Sequence, residues 1–376
     1  MLAGPYATQI LGDLGAEVWK VERPGTGDET RAWGPPFVDG ESAYFLSVNR
    51  NKKSVVLDFE TGPDRDAARR AALAADVVVE NFLPGELARL GLDLAAWRRE
   101  KPALVTCSIT GFGQSGPYAA LPGYDAVLQG FTGLMSITGE ASGPPVKVGV
   151  AVVDVLSGVH AAAAILGALV GVFRGRGGAA IDIALFEVGV ASLVNVAQSA
   201  LATGQPARRH GNAHPTIVPY QTFETADGPI VVAVGNDAQW QRLCTALGPP
   251  DLAAREAWAK NPERVLHRAE VIAELKGRLA ARPRAEWLER LRVARVPAGP
   301  VREVHEVLAD PALEARGMVQ RAASTPGAGT GTPLLALPWL SDGARAPVRF
   351  APPRLGEHTA EFMERFRRSA SESKRV

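Results

Sequence analysis

Asp154 is placed as a reactive group would be. From Lys147 the chain reads Lys-Val-Gly-Val-Ala-Val-Val-Asp-Val-Leu-Ser-Gly-Val-His-Ala-Ala. An apolar, β-branched run ends on one carboxylate, and an Ala-rich helical pattern follows at once. The pattern predicts a strand that stops at an acid facing a helix start, where open α/β sheets bind ligands. Asp is also a favoured N-cap, and spacing alone leaves both readings open. Tyr124 and Asp125, in Gly123-Tyr124-Asp125, add a second carboxylate beside a phenol; Asp125 also reads as a cap for the helical pattern 126–134. Arg208, Arg209, His210 and His214 form the densest cationic cluster, suited to a carboxylate or to a solvated basic turn. His160 falls on the apolar pattern after Asp154 and reads as a core histidine, and His358 reads as structural.

Several chemistries are disfavoured. Cys107 and Cys244 are the only cysteines, with no CxxC or Cys/His spacing, so structural zinc and a disulfide scaffold are not expected. Cys107 lies in a strand pattern as a small apolar residue. This usage suits a reducing, cytoplasmic compartment. Gly25-Thr26-Gly27 and Gly175-Arg176-Gly177-Gly178 match neither GxGxxG nor GxxxxGK[ST], which argues against a nicotinamide oxidoreductase; the second reads as a helix C-cap. Net charge is +1, without a bias toward nucleic acid or anionic membrane. The apolar run Val159–Phe173 is shorter than the ~20 residues of a spanning helix. The first residues carry no basic n-region or apolar h-region.

The chemistry needs positioning elements. The 376 residues, 46% apolar, exceed what one core normally serves. Strand patterns at 17–21, 54–58, 76–80, 103–109 and 179–184 alternate with helical patterns at 6–14, 65–74 and 85–90. That rhythm predicts an α/β fold with a Rossmann-like open, mostly parallel sheet. Leu185–Ala202 reads as one long helix. A smaller α+β unit follows, with a hairpin about Asp227-Gly228 and helices at 237–247, 264–279 and 285–294. Residues 322–334 read as a Gly/Pro/Thr linker. The basic tail 365–375, with three serines, reads as a frayed terminus. The predicted division is a large Rossmann-like domain over 1–190 plus 340–376 and a small α+β domain over 210–320. Linkers fall at 191–209 and 321–339.

Eight strings, in order, carry a resemblance that runs nearly end to end. They are residues 2–23 (Leu-Ala-Gly-Pro-Tyr through Val-Glu-Arg), 31–37, 49–54, 80–85, 111–117, the Asp154 segment, 296–301 and 355–358. Together they resemble the family III CoA-transferases, the carnitine and bile-acid CoA-transferase group. Residues 31–54 and 210–220 are most similar to the succinate–hydroxymethylglutarate (glutarate) CoA-transferases within it. The resemblance implies that Asp154 attacks an acyl-CoA thioester. It also implies CoA contacts from Leu2, Ala3, Arg23, Leu57, Asn81, Phe82, Arg89, Tyr124 and Asp125. Guanidinium forks at Arg23 and Arg89 suit CoA phosphates. Glu60 stands where some members have a CoA-binding lysine, for which Lys52 or Lys53 could substitute. Members usually begin with a further strand before Leu2; the sequence starts at that point, so the expectation is either a misassigned start or a missing first strand.

The same resemblance implies a mechanism. Asp154 would form a mixed anhydride and then an aspartyl-CoA thioester, conserving thioester energy that hydrolysis would lose. Backbone N–H groups of a Gly-rich loop, Gly211–Asn212 as one candidate, would stabilise the oxyanions. The expected partners are acyl-CoA and a small, dicarboxylic acid, with no nucleic acid, membrane, metal, or cofactor beyond CoA itself. An interlocked homodimer is expected. The related α-methylacyl-CoA racemases carry Gly-His-Asp where this chain has Gly123-Tyr124-Asp125. Tyrosine, with an ordinary pKa of about 10, is a poor base at neutral pH, which disfavours the racemase reading. A non-catalytic acyl-CoA-binding protein would have no use for a carboxylate at 154.

Overall fold

The computed structural model describes residues 2–248, 251–322 and 331–366. The chain divides into two compact units, one of residues 1–134, 147–205 and 311–376, the other of residues 135–146 and 206–310.

The first unit is α/β with parallel sheets. Strands β1 (Trp19–Glu22) and β2 (Lys53–Val56) pair in parallel, with Val21 beside Val55. Strands β3 (Val77–Glu80), β4 (Val105–Thr110) and β5 (Ala180–Ala184) form a second parallel sheet in the order β3-β4-β5. All five start within two residues of the expected strands, because each is a short β-branched run bounded by turn residues. Helices α1 (Ala3–Asp13), α2 (Ala43–Val48), α3 (Gly62–Ala74) and α4 (Asp125–Phe131) precede the 22-residue α5 (Val152–Phe173). The core joins Ala7, Ile10 and Leu11 of α1, Cys107 and Ile109 of β4, and Val153, Ala161 and Ile165 of α5. Gly158 lets α1 approach α5 closely. A Cβ there would lie 2.8 Å from the Ala3 carbonyl oxygen. The far end of α1 is fixed by a buried pair, Asp13 accepting from Arg50 and, at 2.6 Å, from Asn51.

Among the described residues β1 and β3 each pair on one edge only. A cavity of about 780 Å³, largely apolar, is lined by residues 16–23 on one side and 74–82 on the other.

Several elements of this unit differ from the sequence reading. Residues 147–151 form no strand, and the helix after them begins at Val152, two residues before Asp154. The apolar run is thus part of a longer helix, long and apolar enough to cross a membrane by length and composition; here it packs on α1, β4 and β5. The predicted helix 185–202 is two helices, α6 (Leu185–Ala191) and α7 (Val194–Thr203), bent by 76°. The break is at Val194, whose φ of 40° leaves the helical region without a Gly or Pro to announce it. Helix α7 also occupies most of the stretch 191–209. Gly175 is left-handed just past α5, as a C-cap requires.

The second unit holds strands β6 (Tyr220–Thr225), β7 (Gly228–Ala233) and β8 (Ala298–Pro300) in an antiparallel sheet ordered β8-β7-β6. The turn at Asp227-Gly228 joins the first two. Helices α8 (Asp237–Leu247), α9 (Arg268–Leu279) and α10 (Arg284–Val293) cover a core that includes Phe223, Trp240, Leu275 and Trp287. The predicted helix 264–279 is broken at His267, after a short helix Asn261–Leu266. Arg264 is fully buried, and its guanidinium donates to Val218, Trp258 and Ala259 carbonyls and to Asp237. Arg209 donates to the Ser136, Glu140 and Gly143 carbonyls, tying 135–146 into this unit. Residues 319–321 pair with 333–335, so the predicted linker 322–334 ends in a strand; its residues 323–330 and the tail 367–376 lie outside the described residues.

Candidate active site

Asp154 is the third residue of α5. Residue Ala151 at the N-cap has no side-chain oxygen to satisfy the first-turn N–H groups. Asp125 satisfies them from another helix. Its Oδ1 accepts from the Val153 N–H at 2.8 Å and from the Asp154 N–H at 3.2 Å. Asp154 is therefore not itself the cap, and Asp125, the first residue of α4, caps α5 instead of its own helix.

Gln129, one turn along α4 and fully buried, completes this arrangement. Its Nε2 donates to Asp125 Oδ2 at 2.6 Å and to the Val150 carbonyl at 3.2 Å. Its Oε1 accepts from the Val148 N–H at 2.8 Å. These bonds explain why 147–151 is no strand. A side-chain amide takes the place of a neighbouring strand. Two glycines seat α4: a Cβ on Gly123 would lie 2.6 Å from the Gly111 Cα, and Gly111 directly follows β4.

Burial and the neighbouring Asp125 charge push the Asp154 carboxyl up from the usual carboxylate range to about 6. The N-terminal end of α5 favours its anion. The group is thus ionised at neutral pH yet more basic than an ordinary carboxylate, which suits a nucleophile. Tyr44, second in α2, is the group the sequence reading missed. Burial and the charges of Asp154 and Asp125 raise its phenol above the ordinary value, so it stays protonated as a donor. Its ring meets Trp33 edge-on at 5.1 Å. Only through-space proximity reveals it; the local signal was a capping Ser42 followed by aromatics.

The residues expected to hold CoA share a structural logic. Arg23 follows β1, Leu57 follows β2, and Asn81 and Phe82 follow β3, each at the carboxyl end of a parallel strand. Arg23, Asn81 and Phe82 line the 780 Å³ cavity. The Arg23 guanidinium is exposed, donating to Thr26 and 3.6 Å from Glu29. Arg89 is exposed and pairs with Glu86. The Leu57 side chain is buried with Val55, Ala67 and Phe362. Leu2 and Ala3 are buried at the start of α1. Tyr124 is half exposed, while both Asp125 oxygens are engaged as described.

Other candidates find different places. His160 is exposed, its ring nitrogen against the Leu156 carbonyl, and is not a core histidine. Lys52 is buried, donating to the Pro5 and Val48 carbonyls and to Asn49, and Lys53 pairs with Glu17 and Glu361. Neither lysine is free to replace a phosphate-binding one. The Gly211 N–H is taken by the Gly139 carbonyl, so it is not a free oxyanion donor. In the second unit, partial burial and the nearby Arg268, His214 and Arg208 hold His210 below its ordinary value. His214 stacks on Tyr220 at 5.3 Å. Cys107 is buried and its thiol pushed up to about 12 by burial and Glu80, so it is inert. No metal-ligating cluster occurs among the described residues.

The chain is 44% identical over 374 residues to a succinate–glutarate CoA-transferase of Agrobacterium fabrum, covering 96% of this chain and 92% of that protein. It is 41% identical over 364 residues to the human succinyl-CoA:glutarate CoA-transferase, covering 97% and 83%. A crystal structure of a CAIB/BAIF family protein from Brucella suis superposes with a TM-score of 0.84 at 43% identity, covering 97% and 96%. The profile of CoA-transferase family III matches residues 1–359, and the chain belongs to that family.

Proposed function

We propose that this enzyme moves CoA from a succinyl-CoA-like donor to a dicarboxylic acid, with Asp154 as nucleophile. The carrying observation is a half-buried carboxylate at the start of a long helix whose first N–H groups are satisfied by another residue. An Asp154 oxygen attacks the donor thioester carbonyl. The C–S bond breaks, giving a mixed anhydride and CoA thiolate. The thiolate attacks the Asp154 acyl carbon, the anhydride C–O bond breaks, and succinate leaves an aspartyl-CoA thioester behind. The acceptor carboxylate attacks that thioester and displaces the thiolate. Attack of the thiolate on the acceptor acyl carbon then frees the new acyl-CoA and restores Asp154. No proton is needed at any step, and no cofactor beyond CoA takes part. Water must be kept out, because anhydride and thioester both hydrolyse.

Arg23, Asn81 and Phe82 are our candidates for the CoA end, by their place at strand carboxyl ends. Glutarate is the first acceptor to test, because relatives above 40% identity carry it in their names. The enzyme is mixed with succinyl-CoA and glutarate, and CoA esters are followed by chromatography. Glutaryl-CoA formed in step with succinate supports the reading. Hydrolysis alone, with no diacid accepting CoA, contradicts it.

We also read the chain as one half of an interlocked homodimer working in the cytoplasm. Val159, Leu166, Val170 and Phe173 form an exposed apolar stripe on one face of α5, with Phe173 84% exposed. A stripe of that kind is normally covered.

A further inference from the structure

We propose that Asp125, itself fixed by Gln129, is a positioning residue that sets where Asp154 stands when it attacks. The inference rests on Asp154 being the nucleophile and adds a part that reading does not require. Asp154 lies in the turn of α5 that frays most readily. Its own N-cap residue, Ala151, offers no oxygen. Among the described residues the side-chain acceptor for the Val153 and Asp154 N–H groups is Asp125 Oδ1, at 2.8 and 3.2 Å. Asp125 cannot swing away, because Gln129 holds its second oxygen at 2.6 Å. Gln129 is fully buried and also bonds both ends of the 148–150 backbone that leads into α5. One helix thus dictates both the approach to α5 and its first turn.

The device has a second, electrical consequence. Among the described residues the titratable groups that act on Asp154 or feel it are Asp125 on α4 and Tyr44 on α2. An asparagine would cap α5 as well as aspartate does, but it would not oppose ionisation of Asp154. The negative charge keeps the nucleophile more basic than it would otherwise be.

Three variants separate cap from charge: Asp125→Ala removes both, Asp125→Asn keeps the capping oxygen but loses the charge and the acceptor for Gln129 Nε2, and Gln129→Leu removes that same bond while leaving the charge. Each is assayed for kcat, KM and pH dependence on succinyl-CoA, and for the rate of covalent adduct formation. Asp125→Ala should lose about 10- to 100-fold in kcat, the scale of an ångström misplacement, with KM for succinyl-CoA within about threefold. Asp125→Asn should recover part of the lost kcat, as far as Gln129→Leu does, but Asp125→Asn alone should shift the acid limb of the profile to lower pH. If Asp125→Ala fails to fold, the pH shift in Asp125→Asn still decides. Wild-type kcat and adduct rate in Asp125→Ala, or an unshifted acid limb in Asp125→Asn, overturns the proposal. Should wild type itself form no adduct at Asp154, the nucleophile reading falls first, whatever Asp125 does.

Discussion

Asp154 must be buried to exclude water and charged to attack, and the two demands conflict. The conflict appears as a carboxyl raised to about 6 by burial and by Asp125. Its folded pKa lies above its unfolded value, so the folded state holds the extra proton. The stability that proton brings is complete below about pH 4 and is lost as pH rises through about 6, some 3 kcal/mol in all. Asp154→Asn should therefore melt higher than wild type at pH 8 and alike at pH 4, while losing transfer activity. Equal melting temperatures at both pH values would contradict the burial argument. At this scale the sequence was informative about residues that follow strand ends, such as Arg23 and Asn81. It said nothing about Tyr44, whose relation to Asp154 exists only through space.

The elements show why the start of α5 was misread. Val148, Val150, Val152 and Val153 have a strand's composition, and β propensity is strongest where a neighbouring strand exists to pair with. Here the partner is the Gln129 amide, and the helix cap comes from Asp125, 29 residues upstream. A cap so distant leaves no local signature. The bend between α6 and α7 is equally silent, since apolar residues run through it unbroken. The parallel strands were legible because each carries its own turn residues. Position of α4 depends on two glycines whose backbones nearly touch. Gly123→Ala would place a Cβ 2.6 Å from Gly111 Cα and 2.9 Å from Leu128. We expect a loss of about 1–3 kcal/mol in denaturant unfolding and a lower kcat, because Asp125 moves with α4. Wild-type stability and kcat in this variant would show that the close approach is not needed.

At the scale of the whole molecule, two units with separate cores carry different charges of work. The first holds Asp154, its cap and the strand ends proposed for CoA; the second holds an antiparallel sheet and, in the loop before it, the Arg208, His210 and His214 cluster. The alternation of strand and helix patterns made the first unit's class readable, and the Asp227-Gly228 turn did the same for the second. Chain crossings were less so, since residues 135–146 belong with the second unit. The uncovered stripe on α5 makes a prediction here. Light scattering should give twice the chain mass, and Phe173→Glu with Val170→Asp should weaken that association. A monomeric wild type, or a dimer indifferent to both changes, would remove this face from the interface.

The most direct test of the central claim is mass spectrometry of the protein after incubation with succinyl-CoA, for wild type and Asp154→Ala. The account predicts a covalent CoA adduct that maps to Asp154 in wild type and is missing from the variant. A wild-type protein that binds succinyl-CoA and carries no adduct, or an adduct that persists in Asp154→Ala, would contradict it.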